Sequence, residues 1–319
     1  MLSRKTKHLL LKIISMLSVV RGYNIAIIVL AQYLSAIFIL APEKKRALDI
    51  ILDYNLFMIV IVSSLTIASG YIINNFYDSE KDLINRPNKS QLDRLVSQKT
   101  KLKVYFAVNF IVVLLSFFVS FRAVLFFSAY IFLIWFYSHK VKKYPIIGNL
   151  MAAFLAVIPF FAILLYFYNK ISFEEIEDHM SHFMVISAHA VFLFLLLLIR
   201  EMIKDLENLK GDLANDYKTI PILYNETVSK QVITALTILT VLPVYVLINI
   251  YDVGYMDIYF YVCFGVLLFF LLYLWKSNSK EQYLLLHNVL KFLIVSGVFC
   301  IVLINPSVLW HGKALISKF

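Results

Sequence analysis

Charge is scarce in this sequence. Only 16% of its 319 residues are Asp, Glu, Lys or Arg, against 61% hydrophobic residues and a mean hydropathy of +0.81. A soluble domain cannot hide that much apolar surface, so the composition excludes a soluble globular class and points to an integral membrane protein. Strands of alternating polar and apolar residues are missing too, which argues against a β-barrel. There is no internal repeat and no stretch with the composition of a soluble domain, so one membrane domain over 1–319 is expected. Cysteine is nearly absent. Cys263 and Cys300 both fall in apolar runs, cannot form a Cys-x-x-Cys pair and have no metal-ligand company. They read as small buried apolar residues. The N-terminal stretch "MLSRKTKHLLLKIISMLSVVRGYN" lacks a small-residue cleavage site, so no cleaved signal peptide is expected. Its first 19 residues read instead as a basic amphipathic helix on the membrane surface, with Leu9, Leu10, Ile13 and Leu17 at helical spacing.

What the sequence does have is long apolar runs. Nine are able to span a hydrocarbon core, which takes about 20 residues of helix each. They cover 20–41, 51–77, 102–119, 121–138, 145–167, 183–203, 231–251, 256–275 and 288–310. An all-α, polytopic membrane protein is therefore expected. The net charge of +10 would suggest nucleic acid in a soluble protein. Here the basic residues gather at helix ends, and the positive-inside rule accounts for them without nucleic acid. With the N-terminus in the cytoplasm, 23 of the 30 Lys and Arg fall to inside segments and 7 to outside ones. The expected topology is N-terminus in, C-terminus out.

The few acidic residues are concentrated. In "YIINNFYDSEKDLINRPNK", residues 71–89, Asn74, Asp78 and Asp82 recur every four positions, and Asn85 continues the series. At 100° per residue they share one helix face, with Asp78 and Asp82 about 6 Å apart along the axis. Carboxylates that close repel unless a cation sits between them. A second inside helix end, "REMIKDLENLKGDLANDYKT" at 200–219, repeats the pattern. Asp205 and Asp212 are seven apart, Glu201 and Asn208 share their face, and Arg200, Lys204 and Lys210 stand nearby. Carboxylate and amide oxygens suit Mg²⁺, which commonly bridges protein carboxylates to substrate phosphates. A diphosphate held that way, with Lys and Arg on its remaining oxygens, is a good leaving group. An apolar chamber between helices would hold a lipid tail. The composite substrate is a prenyl diphosphate.

These residues resemble the UbiA superfamily of intramembrane prenyltransferases over nearly the whole chain. Its first motif, N-x-x-x-D-x-x-x-D, is matched by Asn74, Asp78 and Asp82, and its continuation by Asn85, Pro87 and Asn88, with Lys89 where Arg is common. "RGYN" keeps Arg21 and Asn24 of an R-P-x-N start, with Gly22 in place of proline. "YSHKVKKYPIIGN" resembles the family's basic loop through Tyr137, Ser138, Lys140, Lys142, Pro145, Gly148 and Asn149. Within the superfamily, the 200–222 run looks most like the branch that prenylates geranylgeranylglyceryl phosphate. Three departures stand out: Asn208 where Asp is common, Asn75 where Asp often follows the first Asn, and "SQLDRLVS" after Lys89 in place of a Pro/Gly turn.

The resemblance implies nine helices around a lipid-accessible chamber and Mg²⁺-dependent transfer of a geranylgeranyl-type group from its diphosphate. Asp78 and Asp82 with Asn74, and Asp205 and Asp212 with Asn208, are the implied metal ligands. Arg86, Lys89, Lys140, Lys142 and Lys204 are implied for the diphosphate, and Arg200 for substrate binding. Arg21, Asn24, Asn85 and Tyr137 complete the substrate-binding set. A prenylglycerol phosphate is the favoured acceptor and an aromatic quinone precursor the alternative, with Lys210 and Lys218 available to an acceptor phosphate. No obligate protein partner is implied. A secondary transporter is the rival outside enzymes, but its broken midplane helices and internal repeats are not seen. The signature run of a CDP-alcohol phosphotransferase is absent, and intact Asp78, Asp82, Asp205 and Asp212 argue against a non-catalytic assembly protein.

Overall fold

The computed structural model describes residues 4–40, 47–168 and 180–306. The acidic loop predicted at 173–179 lies outside them. Every regular element among the described residues is helical. The N-terminal part comprises α1 (Arg4–Val20), α2 (Gly22–Phe38), α3 (Ala47–Ile51), α4 (Tyr54–Tyr77), α5 (Ser79–Asn85), α6 (Pro87–Asp93), α7 (Gln98–Phe117) and α8 (Phe121–His139). After a 3-10 turn at Val141–Lys143 come α9 (Ile147–Tyr168), α10 (Met180–Glu207), α11 (Leu209–Ala214) and α12 (Ile220–Leu223). The chain ends through α13 (Glu226–Leu239), α14 (Val241–Asn249), α15 (Met256–Lys276) and α16 (Lys280–Cys300). Among the described residues, eight helical stretches are long and apolar enough to cross a membrane. Leu10–Val20 and Gly22–Phe38, bent by 50°, pass together as a ninth.

Local chemistry sets these boundaries. Arg21 adopts a left-handed conformation (φ 52°, ψ 54°) and bends the chain between α1 and α2. The side chains of Asp53, Ser97, Ser120 and Asn225 accept the otherwise unpaired N–H groups at the starts of α4, α7, α8 and α13. Ser279 and Gln282 form a reciprocal capping box. It starts α16 at Lys280 rather than the expected 288. The seventh span begins early at Glu226 and breaks at Thr240, just before Pro243, which has no N–H to continue the ladder.

Two helices organise the packing. α4 is the most enclosed span, with 67% of its apolar window buried, and it packs against α2, α7, α8 and α9. α10 packs against α9, α13, α14 and α16. The two acidic motifs sit at the ends of these two central helices.

Inside the bundle, polar groups must find partners because there is no water to take them. Pro159 lies within α9 and cannot donate to the carbonyl four residues back, Leu155. The buried Tyr130 hydroxyl of α8 donates to that oxygen at 2.9 Å. Gln32 of α2 donates to the Pro159 carbonyl at 2.7 Å and to Ser63 Oγ at 3.0 Å. The proline turn is thus tied to α8 through Tyr130 and to α2 through Gln32, which reaches on to Ser63 of α4. His189 bonds within its own helix, to the Val185 carbonyl at 2.8 Å, and meets Met256 Sδ of α15 at 3.4 Å. Cys263 is buried and Cys300 half-buried, both free. Removing the Tyr130 hydroxyl (Tyr130→Phe) is expected to destabilise the bundle by about 1 kcal/mol, the penalty for one orphaned buried carbonyl. The same change at the exposed Tyr261 should be neutral, and unfolding midpoints in detergent compare the two.

Candidate active site

The first acidic face survives a helix break. α4 stops at Tyr77 and Asp78 caps it, yet the i-to-i−4 ladder runs on. Asp78 N bonds Asn74 O at 2.9 Å and Asp82 N bonds Asp78 O at 2.8 Å. Asn74, Asp78 and Asp82 therefore keep the shared face that their spacing predicts. The second motif behaves alike: Asn208 N reaches Lys204 O at 2.9 Å and Asp212 N reaches Asn208 O at 3.1 Å.

The two motifs meet. Lys81 Nζ lies 2.5 Å from Asp212 Oδ1 and 4.0 Å from the Tyr217 ring centre. The Tyr217 hydroxyl donates to Asp78 Oδ1 at 2.8 Å. Asn85 Oδ1 accepts the Gly211 N–H at 3.1 Å, and a Cβ at Gly211 would fall 2.3 Å from the Asn85 side chain. α5 and α11 can approach this closely only because residue 211 is glycine. Lys280 at the start of α16 donates to the Asn85 carbonyl at 2.8 Å.

The third predicted element reaches the same place in part. The 3-10 turn carries Lys142 inward to Asp78 Oδ1 at 2.5 Å, with Asn74 Oδ1 at 3.5 Å. Asn149 donates to Asp205 Oδ2 at 2.8 Å. Lys140 is exposed. Tyr137 is half-buried and packs on the core.

Charge at this cluster is unevenly matched. Burial pushes the Asp78 carboxyl up, but Lys142 and Lys81 more than reverse this and hold it below its ordinary value. Burial, then neighbouring Asp78, raises Asp82, which has no ion pair among the described residues. Burial also raises Asp212 despite Lys81. Burial would lower Lys81, but Asp212 and Asp78 raise it; at Lys142 burial prevails and lowers it. Burial raises Tyr217 further, so it stays a donor. Asn208 Oδ1 and Asp212 Oδ2 are buried without a hydrogen-bond partner, while Asp212 Oδ1 meets the Lys81 ammonium at 2.5 Å. Such bare hard oxygens fit a divalent cation like Mg²⁺. Among the described residues no three His, Cys, Asp or Glu are placed to hold a metal ion on their own, so amide, water or substrate oxygens would have to complete its shell.

Other predicted residues have different neighbours. Lys89 pairs with Asp93 at 2.7 Å and acts on Asp82 only through space. Asp93 also accepts from Ser18 at 2.8 Å and Asn75 at 3.0 Å, and buried Lys101 donates to Asn75 at 2.7 Å. Asn75, noted as a departure, thus ties α4 to α6 and α7, and Asp93 carries the link on to α1. Arg86 pairs with Glu207 at 3.5 Å, and Glu207 meets His287 of α16 at 2.9 Å. Arg200 and Lys204 share Glu201 at 3.3 and 2.5 Å. Arg21 lies 5.3 Å over the Tyr71 ring, and Asn24 donates to the Tyr71 hydroxyl at 2.9 Å. The sequence reading missed Lys81 and Tyr217. Lys81 was visible as the one cation between the two motif aspartates. Nothing local marked Tyr217, which reaches Asp78 only by folding.

Below the cluster, α2, α4, α9, α10 and α16 enclose a cavity of about 200 Å³. Asn24, Tyr71, Arg200 and Lys291 form its polar part, and residues such as Ile27, Pro159 and Leu197 its apolar part. Tyr71 is two turns before Asp78, so the cavity starts about 10 Å deeper. A smaller cavity of about 70 Å³ shares Ala31, Phe160, Leu193, Ile294 and Val298 and extends it towards Met256 and Tyr259. A larger cleft of about 710 Å³ borders Lys81 and Tyr217 from outside, but none of the four motif aspartates lines it.

Comparison with known proteins agrees with this architecture. The digeranylgeranylglyceryl phosphate synthase of Thermococcus sibiricus is 28% identical over 186 residues, 58% of this chain and 62% of the relative. The chain thus matches less than two thirds of that relative's length. The enzyme of the same name from Methanopyrus kandleri is 30% identical over 200 residues, 60% of this chain and 68% of its own. A solved structure concerning digeranylgeranylglyceryl phosphate synthase in membranes superposes with a TM-score of 0.66 at 20% identity, covering 92% of this chain and 98% of the other. A UbiA homologue from Archaeoglobus fulgidus, bound to GPP and Mg²⁺, gives 0.64 at 14% identity, covering 90% and 99%. The model of the UbiA prenyltransferase family matches residues 29–295. With its multiple apolar helices and that match over most of its length, the chain is an integral, multi-pass membrane protein that belongs to the UbiA prenyltransferase family.

Proposed function

We propose that this protein transfers a geranylgeranyl-type chain from its diphosphate to the hydroxyl of a prenylglycerol phosphate. The observation that carries the reading is the joining of two carboxylate-bearing helix ends, through Lys81–Asp212 and Tyr217–Asp78, above an apolar cavity. The names of the Thermococcus and Methanopyrus relatives support the acceptor class, and the Archaeoglobus homologue supports a diphosphate handled with Mg²⁺. Asp78 and Asp82 with Asn74 would hold one Mg²⁺; Asp205 and Asp212 with Asn208 would hold another. Bound there, Mg²⁺ would neutralise charge growing on the diphosphate oxygens.

The chain's own residues supply the rest. Lys81 and Lys142, already at the carboxylates, would turn their charge to the phosphate oxygens as the bond from C1 to oxygen breaks. Tyr217 and Asn149 would orient Asp78 and Asp205 for that task. The diphosphate leaves with the bonding electrons, and the acceptor oxygen attacks C1 and passes its proton to the departing diphosphate. The prenyl chain would lie among Ile27, Pro159 and Leu197, away from water that would otherwise quench the allylic centre.

The same reading covers topology. The concentration of Lys and Arg near the catalytic loops supports a cytoplasmic N-terminus and an outward C-terminus. Leu10, Ile13 and Leu17 form an exposed apolar face of α1, while Ser15 and Val19 are buried on its other side. That division supports α1 as a surface-lying helix; the Leu9 side chain lies outside the described residues.

With labelled geranylgeranyl diphosphate, Mg²⁺ and geranylgeranylglyceryl phosphate, the purified protein should form a diether product. Asp78→Ala and Asp212→Ala should each reduce the rate by about 10²–10³-fold. Product with a hydroxylated aromatic acid alone would move the acceptor to the quinone-precursor class. Chelation should abolish turnover, and added Mg²⁺ should restore it. Gly211→Ala, which forces α5 and α11 apart without touching a carboxylate, should cost about 100-fold in kcat.

A further inference from the structure

A second polar surface runs down the contact between α10 and α16. Arg200, Lys204 and Glu207 recur at i, i+4 and i+7 on α10, and His287 and Lys291 at i and i+4 on α16. Helical residues so spaced share a face. Glu207 meets both His287 and Arg86 at the loop end. Glu201 serves Lys204 and Arg200 deeper in. Four cations, Arg86, Arg200, Lys204 and Lys291, thus face two carboxylates, Glu201 and Glu207. The imbalance is sharpest at the deep end. Among the described residues Lys291 has no carboxylate in ion-pair range; its ammonium lies 4.3 Å from the Tyr23 ring centre. It stands half-buried, eleven residues and about 16 Å from the start of α16, with apolar Ile294, Val295 and Val298 on the same cavity wall. A cation on such a wall is costly unless it serves an anion. Lys291 and Arg200 line the same cavity, as do Asn24 and Tyr71. Lys210 and Lys218, the cations that the sequence offered to an acceptor phosphate, are exposed and do not line it.

We propose that Arg200 and Lys291 bind the phosphate monoester of the acceptor and select an anionic prenylglycerol phosphate over a neutral lipid alcohol. The inference rests on the function proposed above and adds where the acceptor's charge goes. The guanidinium of Arg200 offers a planar fork to two phosphate oxygens, and the Lys291 ammonium a point charge to the third. The acceptor's own prenyl chain then descends past Ile294 and Val298 into the smaller cavity. In a glycerol backbone the free hydroxyl is close to the phosphate ester, so anchoring the phosphate aims the nucleophile upward, towards the four aspartates. Donor and acceptor phosphates are thereby kept apart: one on the carboxylate cluster, the other on the α10–α16 face.

The test is equilibrium binding to the full-length protein in nanodiscs of neutral lipid, without Mg²⁺ or donor. The probes are geranylgeranylglyceryl phosphate and its phosphate-free alcohol. The wild type should bind the phosphate at least tenfold more tightly. Lys291→Met should erase that preference and Lys291→Arg should retain most of it. Binding of geranylgeranyl diphosphate with Mg²⁺ should stay within twofold of wild type in both, which also reports that the variants are folded. An unchanged phosphate preference in Lys291→Met overturns the proposal, as does an equal loss of donor binding. Nanodiscs containing phosphatidylglycerol distinguish the source of the anion. Displacement of the acceptor at equal mole fraction would mean a general lipid-anion site and overturn acceptor selection. A wild type that makes diether while Lys291→Met keeps its preference sinks this inference alone. A wild type that prenylates only aromatic acids sinks the functional reading on which it rests.

Discussion

Repulsion among clustered carboxylates, one buried and three half-buried, is the constraint around which the site is built. Asp78, Asp82, Asp205 and Asp212 converge from the ends of two central helices, in surroundings that screen them poorly. Left alone, such a cluster would drive α4 and α10 apart or take up protons. Lys81 and Lys142 meet this by standing on Asp212 and Asp78. They are internal counterions, and they also explain why loops with little apolar area to bury hold a defined position. The Asn85–Gly211 contact then fixes the distance between α5 and α11. Two lysines against four aspartates leave a negative residue of charge, which is what a pair of divalent cations carrying a diphosphate needs.

The opposite imbalance lies on the α10–α16 face. α10 contributes to both halves: Asp205 on one side, Arg200 and Lys204 on the other, with Glu201 between. One helix thereby divides an anion that arrives with metals from one that arrives bare. Separating the signs across a helix keeps each substrate's charge from competing for the other's partners, a form of specificity by repulsion.

Much of this was legible beforehand, for a physical reason. Spacing of four and seven survives local distortion, because the backbone ladder continues through the caps at Asp78 and Asn208 even where the helices are formally broken. The membrane spans were legible because hydrocarbon thickness dictates their length. What was not legible depends on contacts remote in sequence. A run containing Lys140, Lys142 and Lys143 does not tell which one turns inward; the 3-10 turn decides for Lys142. Lys89 looked available to a phosphate, yet Asp93, one helical turn on, takes it. Tyr217 is 139 residues from Asp78 and carries no local mark of its role.

Lys291 shows how a boundary error hides a functional candidate. Starting the last span at Asn288 leaves this lysine at a helix edge, where a cation is an ordinary feature of an inside loop. The Ser279–Gln282 capping box starts the helix eight residues earlier, at Lys280. Lys291 then stands about three turns from the helix start, over Tyr23 and in the wall of the cavity. Read within the helix, the lysine is no longer an end residue but a cation on a cavity wall. The cap at Ser279 therefore does more than begin a helix. It extends α16 beyond its apolar run, so that Lys291 lies inside a continuous helix whose wall it shares with Arg200 across one cavity.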